Sequence, residues 1–266
     1  MITQFDVESH FDGRLKIAFL NNPKTLNALN RPTLTELRRF FEDCSNDSRV
    51  RVVAISGRGR AFSSGQDLVA AFADEDEKTD ITFVKRLISQ FYNPLVNELT
   101  KCKKPVVALV NGPAVGAGAM LGLISDITIA SEKAYFSQAF NQIGLIPDTG
   151  GTYFLPRLLG RQMANYLTFT GKKLYADEAK SLGLVAEVFP EETFMEESMK
   201  ILEKMSNLPT AAVKLTKKAF AKSYENTMKQ QLDLEADLQQ KAALTNDFAE
   251  GINAFMEKRD PKYQGR

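Results

Sequence analysis

Val106-Val107-Ala108-Leu109-Val110-Asn111-Gly112-Pro113-Ala114-Val115-Gly116-Ala117-Gly118 is the stretch on which the reading of this chain turns. Val106 to Val110 is an apolar, β-branched run of the kind that fills a buried strand. Asn111, Gly112 and Pro113 break it. Small residues follow to Ala119, and Gly116 and Gly118 leave backbone amides uncovered where a helix should begin. A helix N-terminus offers unpaired N–H groups and the positive end of a dipole, so this turn can hold a developing oxyanion. Further along stands a lone carboxylate, Asp148, in the turn Pro147-Asp148-Thr149-Gly150-Gly151. An amide cradle with one acid predicts proton transfer next to a carbonyl. Gly116 and Gly118 also have a purely structural use, the close packing of helix on strand. A second copy of the pattern is what favours function.

That copy lies upstream. Val50 to Ser56 reads as a strand and runs through Gly57-Arg58-Gly59-Arg60 into Ala61-Phe62-Ser63-Ser64-Gly65-Gln66-Asp67-Leu68. Val52-Val53-Ala54-Ile55 and Val106-Val107-Ala108-Leu109 both enter glycine-containing loops before a helix, and two such turns side by side can aim one amide each at one oxygen. Elsewhere, Arg14 to Leu20, Asp126 to Ala130 and Leu184 to Phe189 read as strands. Asn27 to Cys44 and Phe83 to Leu99 carry helical spacing, and Gly171 to Leu182 reads as a helix and turn. From Thr210 to Met256 the strand signal vanishes and the pattern is helical throughout. The expected organisation is an α/β core over residues 1–205 and a helical region over 206–266, packed together without a linker.

Composition narrows the function. With 266 residues, 44% hydrophobic and 25% charged, the chain can bury one sizeable core. A net charge of +1 supplies no global field for nucleic acid or anionic lipid, so neither is an expected partner. Cys44 and Cys102 form no disulfide framework, and no run of about 18 apolar residues exists to span a membrane. The N-terminal residues Asp6, Glu8 and Asp12 do not resemble a signal peptide, and Tyr263-Gln264-Gly265-Arg266 is not a peroxisomal tail; a cytoplasmic location is expected. The acidic run Ala73 to Asp80 reads as a solvated loop rather than a metal site. His10 is the only histidine and no GxSxG elbow occurs, which disfavours a Ser-His-Asp triad. Clustered zinc ligands are missing, Leu121 stands where a dinucleotide fingerprint needs its third glycine, and no P-loop lysine follows.

Two stretches in combination, Ala61 to Leu68 and Asn111 to Gly118, resemble the crotonase (enoyl-CoA hydratase/isomerase) superfamily, and the likeness extends over essentially the whole chain. The resemblance implies a spiral of ββα units with a helical C-terminal region for oligomerisation, assembled as a homotrimer or a dimer of trimers. It implies an acyl-CoA thioester substrate, with coenzyme A belonging to the substrate, and no metal or redox cofactor. By match of position, the backbone N–H groups of Gln66 and Ala117 hold the thioester oxygen as an enolate forms. The hydratases of the family place one glutamate where this chain has Met120 and a second where it has Phe140. Of the acids between Gly112 and Thr152, Asp126 and Glu132 read as structural, which leaves Asp148. Asp148 matches the acid/base of several isomerases of the family, and Ile143 to Thr152 is especially similar to the ring-epoxide isomerases of phenylacetyl-CoA breakdown.

Chemistry points the same way. Hydration is readily served by two carboxylates, whereas moving a double bond needs one group that takes a proton and returns it two carbons away. Met120, Phe140 and Leu145 are expected to wall the acid with apolar surface, and Phe136 to belong to the core. For the coenzyme, the resemblance implies Lys24, Leu26, Ala28, Ser64, Gly65, Asp67, Leu68 and Gly116, with Phe255 and Lys258 reaching the adenine end, in some relatives from an adjacent subunit. The expected activity is an acyl-CoA isomerase of fatty-acid or aromatic-acid catabolism. Its rivals are a hydratase using another acid, such as one from Ala73 to Asp80, and a non-catalytic CoA-binding subunit in complex with a homologous hydratase.

Overall fold

β3 (Val52–Gly57) and β4 (Val106–Val110) are buried along their full length, which is why they read as unbroken apolar runs. The computed structural model describes residues 5–73 and 80–266, so most of the acidic run expected as a loop lies outside the described residues. β1 (Phe5–His10) and β2 (Leu15–Leu20) form an antiparallel hairpin at the edge, and β2 continues parallel to β3 and β4. Then come β6 (Ile127–Ser131) and β9 (Glu187–Phe189), also parallel, giving the order β1-β2-β3-β4-β6-β9. A smaller sheet of β5 (Ala114–Val115), β7 (Tyr135–Ser137) and β8 (Leu174–Tyr175) stands beside it.

Alternation along the strands builds two cores. Val53, Ile55, Ala108 and Val110 face one side, where they pack with Leu34, Leu37 and Phe41 of α1 (Arg31–Asn46), with Leu95 and Leu99, and with Met120 and Leu121. Val52, Ala54, Val107 and Leu109 face the other side, under Phe194 and Leu202. The short α2 (Leu68–Ala71) follows the first glycine loop. Next are α3 (Phe83–Leu87) and α4 (Asn93–Lys101), and α5 (Ala117–Leu123) follows the second glycine loop. α6 (Gly151–Thr170), α7 (Ala176–Ser181) and α8 (Phe194–Ser206) complete the core, α8 carrying Phe194 and Leu202. The mixed α/β architecture expected from the sequence is the one observed.

Several boundaries differ from the sequence reading. The helix expected over Phe83 to Leu99 is interrupted by a π-helical turn at Ile88–Tyr92. Pro94 follows immediately; it has no N–H to give and its ring crowds the carbonyl four residues back, so the wider turn relieves the clash. The helical run Thr210 to Met256 is three helices, α9 (Thr210–Ser223), α10 (Met228–Ala243) and α11 (Asn246–Glu257). Thr227 and Thr245 cap the second and third by accepting from the Gln230 and Phe248 amides, stop signals that lack the usual glycine or proline. Gly171 to Leu182 holds β8 as well as α7, and the last strand shortens to Glu187–Phe189.

The C-terminal helices are tied to the sheet by polar contacts. Asp126 accepts from the Val106 N–H at 2.7 Å and pairs with Lys217 of α9 at 2.5 Å, so this acid is structural as expected. The buried Arg51 guanidinium donates to the Leu208 carbonyl at 2.5 Å and to the Thr210 hydroxyl.

Candidate active site

Parallel strands β3 and β4 end side by side, so the two glycine loops leave the sheet at one edge. Backbone bonds stitch the loops together. The Phe62 and Ser63 amides donate to the Pro113 carbonyl at 3.1 and 3.2 Å, and the Val115 amide donates to Ser63 O at 2.9 Å. Gly65, at φ +87°, lies so close that a Cβ there would stand 2.7 Å from the Val115 carbonyl oxygen and 3.6 Å from the Ala117 nitrogen. Gly116 starts α5 at φ +54° with no side-chain cap. Both conformations are ones that residues with a Cβ avoid.

Two amides are left over. The bridge of Leu29 to the first loop uses the Gly65 carbonyl and the Asp67 amide, bypassing the amide of Gln66. The Ala117 amide, in the first turn of α5, has no intrahelical acceptor. Among the described residues neither N–H has a hydrogen-bond acceptor, and both residues border one cavity of about 500 Å³.

Asp148 borders the same cavity and is its only carboxylate among the described residues. Its carboxylate accepts from the Thr149 hydroxyl at 2.8 Å, and its carbonyl accepts from the Gly151 amide at 2.7 Å, where α6 begins. Burial pushes the carboxyl above the usual aspartate range, against the Thr149 hydrogen bond, which lowers it. Thr149 is buried at φ +51°, a costly conformation for a β-branched residue, and it fixes the turn that carries the acid.

The sequence did not single out Tyr92. It sits at the end of the π-helical turn, and its hydroxyl donates to Gln66 Oε1 at 2.6 Å. The Gln66 side chain also donates to the Asp67 carbonyl at 3.0 Å, so both its polar ends are held and its backbone N–H is presented in one orientation. Burial raises the Tyr92 phenol above its ordinary value, with the Asp148 charge adding to it, so the hydroxyl stays protonated as a donor. Phe83 and Leu87, four apart on α3, complete that wall. Their spacing is legible in the sequence, but the π turn that swings Tyr92 inward is not.

The remaining expected site residues divide. Ser64, Leu68, Phe140 and Leu145 border the cavity with Gly65 and Gly116, and the Phe140 ring lies over Gly116. Met120 does not line it, contrary to the reading as pocket wall. Its side chain is fully buried behind the acid's turn, with its sulfur accepting from Gln138 Nε2 at 3.4 Å and facing Gly151. Phe136 is core, as expected. Lys24 and Leu26 sit in the turn bound behind Ser64, whose amide and hydroxyl donate to the Leu26 and Thr25 carbonyls. Ala28 is buried, and Asp67 is spent capping α2 through the Ala70 amide at 2.9 Å. Phe255 and Lys258 stand exposed at the end of α11 and do not border the cavity within one chain. No helix among the described residues is long and apolar enough to cross a membrane.

Residues 14–266 match the enoyl-CoA hydratase/isomerase family model. The chain is 37% identical over 262 residues to a 1,2-epoxyphenylacetyl-CoA isomerase of Escherichia coli (strain K12), covering 97% of this chain and 98% of that protein. A probable enoyl-CoA hydratase of Rhodobacter capsulatus is 38% identical over 252 residues, covering 95% of each. The crystal structure of an enoyl-CoA hydratase from Bacillus anthracis superposes with a TM-score of 0.93 at 30% identity, covering 99% of this chain and 100% of that one.

Tyr92→Phe keeps the ring and removes the hydroxyl that holds Gln66. It is expected to lower kcat/KM by up to about tenfold, the worth of one buried hydrogen bond, with thermal melting little changed. Steady-state kinetics beside a melting curve checks this. Unchanged kinetics would leave Tyr92 as packing alone.

Proposed function

The chain belongs to the enoyl-CoA hydratase/isomerase family, and on that premise we propose that it is an acyl-CoA isomerase working through a thioester enolate. The observation that carries this is the single described carboxylate on the cavity wall, Asp148, facing a space bordered by two amides without acceptors. In double-bond migration, Asp148 takes a proton from the carbon next to the thioester carbonyl of a 3-enoyl-CoA. The electron pair moves onto the thioester oxygen, which accepts hydrogen bonds from the Gln66 and Ala117 amides. Asp148 then returns the proton two carbons away, leaving a 2-enoyl-CoA. Each amide donor is worth about 3 kcal/mol to such an enolate.

Phe140, Leu145 and Leu68 supply apolar surface for the acyl chain, and the same polar groups suit isomerisation of a ring epoxide. The reaction in this reading needs no metal or redox cofactor, since coenzyme A arrives with the substrate. Ser64 and the turn behind it with Lys24 and Leu26 are the proposed neighbours of the coenzyme. Of the acids in the rival loop, Asp80 is described, and it bonds Thr82 and Arg86.

Asp148→Asn tests the role. It is expected to lower kcat/KM by about 10²- to 10⁴-fold. In the parent, abstraction needs the ionised form, so kcat/KM should rise with pH along a limb above the ordinary aspartate value of about 3.9. A carboxyl raised by burial stabilises the fold most where it is protonated and loses that contribution as pH rises through its folded-state value. The variant is therefore expected to melt higher than the parent at neutral pH, with the gap closing as pH falls. Full activity in Asp148→Asn would contradict the assignment, and a 3-hydroxyacyl product would favour a hydratase.

We also propose residues 206–266 as the assembly region of a homotrimer or dimer of trimers that brings Phe255 and Lys258 to a neighbour's coenzyme. Support comes from large apolar side chains standing in water on α6, α9 and α11, among them Phe169, Phe220 at 69% and Phe255 at 83% exposure. Light scattering should give the mass of three or six chains of 29.6 kDa. A single-chain mass would contradict it.

A further inference from the structure

We propose that a second cavity, at the opposite end of the sheet from Asp148, binds a small, multiply charged phosphate compound. The cavity, about 480 Å³, opens where Lys103 and Lys104 lead into β4, whereas the acyl-CoA cavity lies beyond the far end of that strand. Five residues of strand span about 16 Å, so the two sites are separate.

Five cationic side chains border this space, those of Arg49, Lys103, Lys104, Lys214 and Arg266, and no carboxylate side chain among the described residues does. Among the described residues the Lys104 and Lys214 ammonium groups have no ion-pair or hydrogen-bond partner, and Arg266 has no carboxylate but donates to Gln264 Oε1 at 2.9 and 3.2 Å. Lys103 donates to Asn46 Oδ1 at 2.8 Å. Arg49 grips both oxygens of Asp47, so that carboxylate acts on Lys104 only at a distance and makes no contact with it.

Lys104 is the telling residue. It is only 9% exposed, yet its ammonium makes no ion pair or hydrogen bond with any described residue. Burial holds its pKa below the usual lysine value, against the more distant Asp47 charge, as expected for a cation taken out of water without a carboxylate in contact. A fold retains such a group at a cost unless an anion completes it. The first turn of α9 adds an independent contribution. Thr210 and Ala211 border the cavity, Pro209 caps the helix without a side-chain bond, and no acid occupies the first turn. The N–H groups there and the positive end of a 14-residue helix thus face the same space as the lysines.

The lining also selects the ligand. Ala211 is its one apolar side chain, and no aromatic ring is present to stack a nucleobase. Recognition therefore runs through charge and hydrogen bonds rather than stacking, which fits pyrophosphate or a sugar bisphosphate better than a nucleotide.

Calorimetric titration of the full chain with sodium pyrophosphate at constant ionic strength tests this. One saturable site per chain is expected, weakened about tenfold by Lys104→Met and by Lys214→Met, the worth of one charge-assisted contact. Lys104→Met should melt no lower than the parent without pyrophosphate, because it removes an unpaired buried ammonium, and should lose most of the parent's pyrophosphate-induced rise. Absence of saturable binding at millimolar pyrophosphate would overturn the proposal. So would binding that both variants retain in full, or a Lys104→Met protein that melts well below the parent.

Discussion

Two backbone N–H groups can face one oxygen only if the loops that carry them are pressed together more closely than side chains allow. Gly65 meets that condition against Val115, and Gly118 lies so near Ser63 that a Cβ would come within 2.7 Å of it. The pairing of β3 with β4 brings the loops to the same edge, and the Ser63–Val115 and Pro113 bonds close the gap. Backbone donors suit charge that develops during a reaction because they are already oriented and cost no reorganisation. The rest of the site depends on this frame. Tyr92 holds Gln66 from one side, and the turn of Asp148 approaches from the other.

The acid is shaped by what surrounds it. Met120 fills the space behind its turn and Phe140 lies over Gly116, so two places that could hold a second acid are apolar. One carboxylate raised by burial suits a group that must both take and give a proton. The strained Thr149 and the start of α6 hold that carboxylate in place.

Much of this is legible in the sequence. β3 and β4 are buried on both faces, so their apolar runs are unambiguous; the glycine loops stand out where small residues end those runs, and Asp148 stands out as a lone acid in its turn. What stayed hidden depends on three-dimensional context. Tyr92 looks like one more apolar position of an amphipathic helix until Pro94 forces a π turn. Met120 and Phe140 are equivalent by position, yet only the second reaches the cavity, because Gly151 lets Met120 pack behind the acid. Lys104 carries no sequence signal of burial, yet it is only 9% exposed, beside the cavity it borders with the start of α9 and Gly265.

The most direct test of the account is to follow proton transfer itself. The protein is incubated in D₂O with a 3-enoyl-CoA, and the position and amount of deuterium in the product are read by mass spectrometry, for the parent and for Asp148→Asn. A 2-enoyl-CoA is expected, with exchange dependent on Asp148. Undiminished isomerisation and exchange in the variant would contradict it and direct the search to another acid.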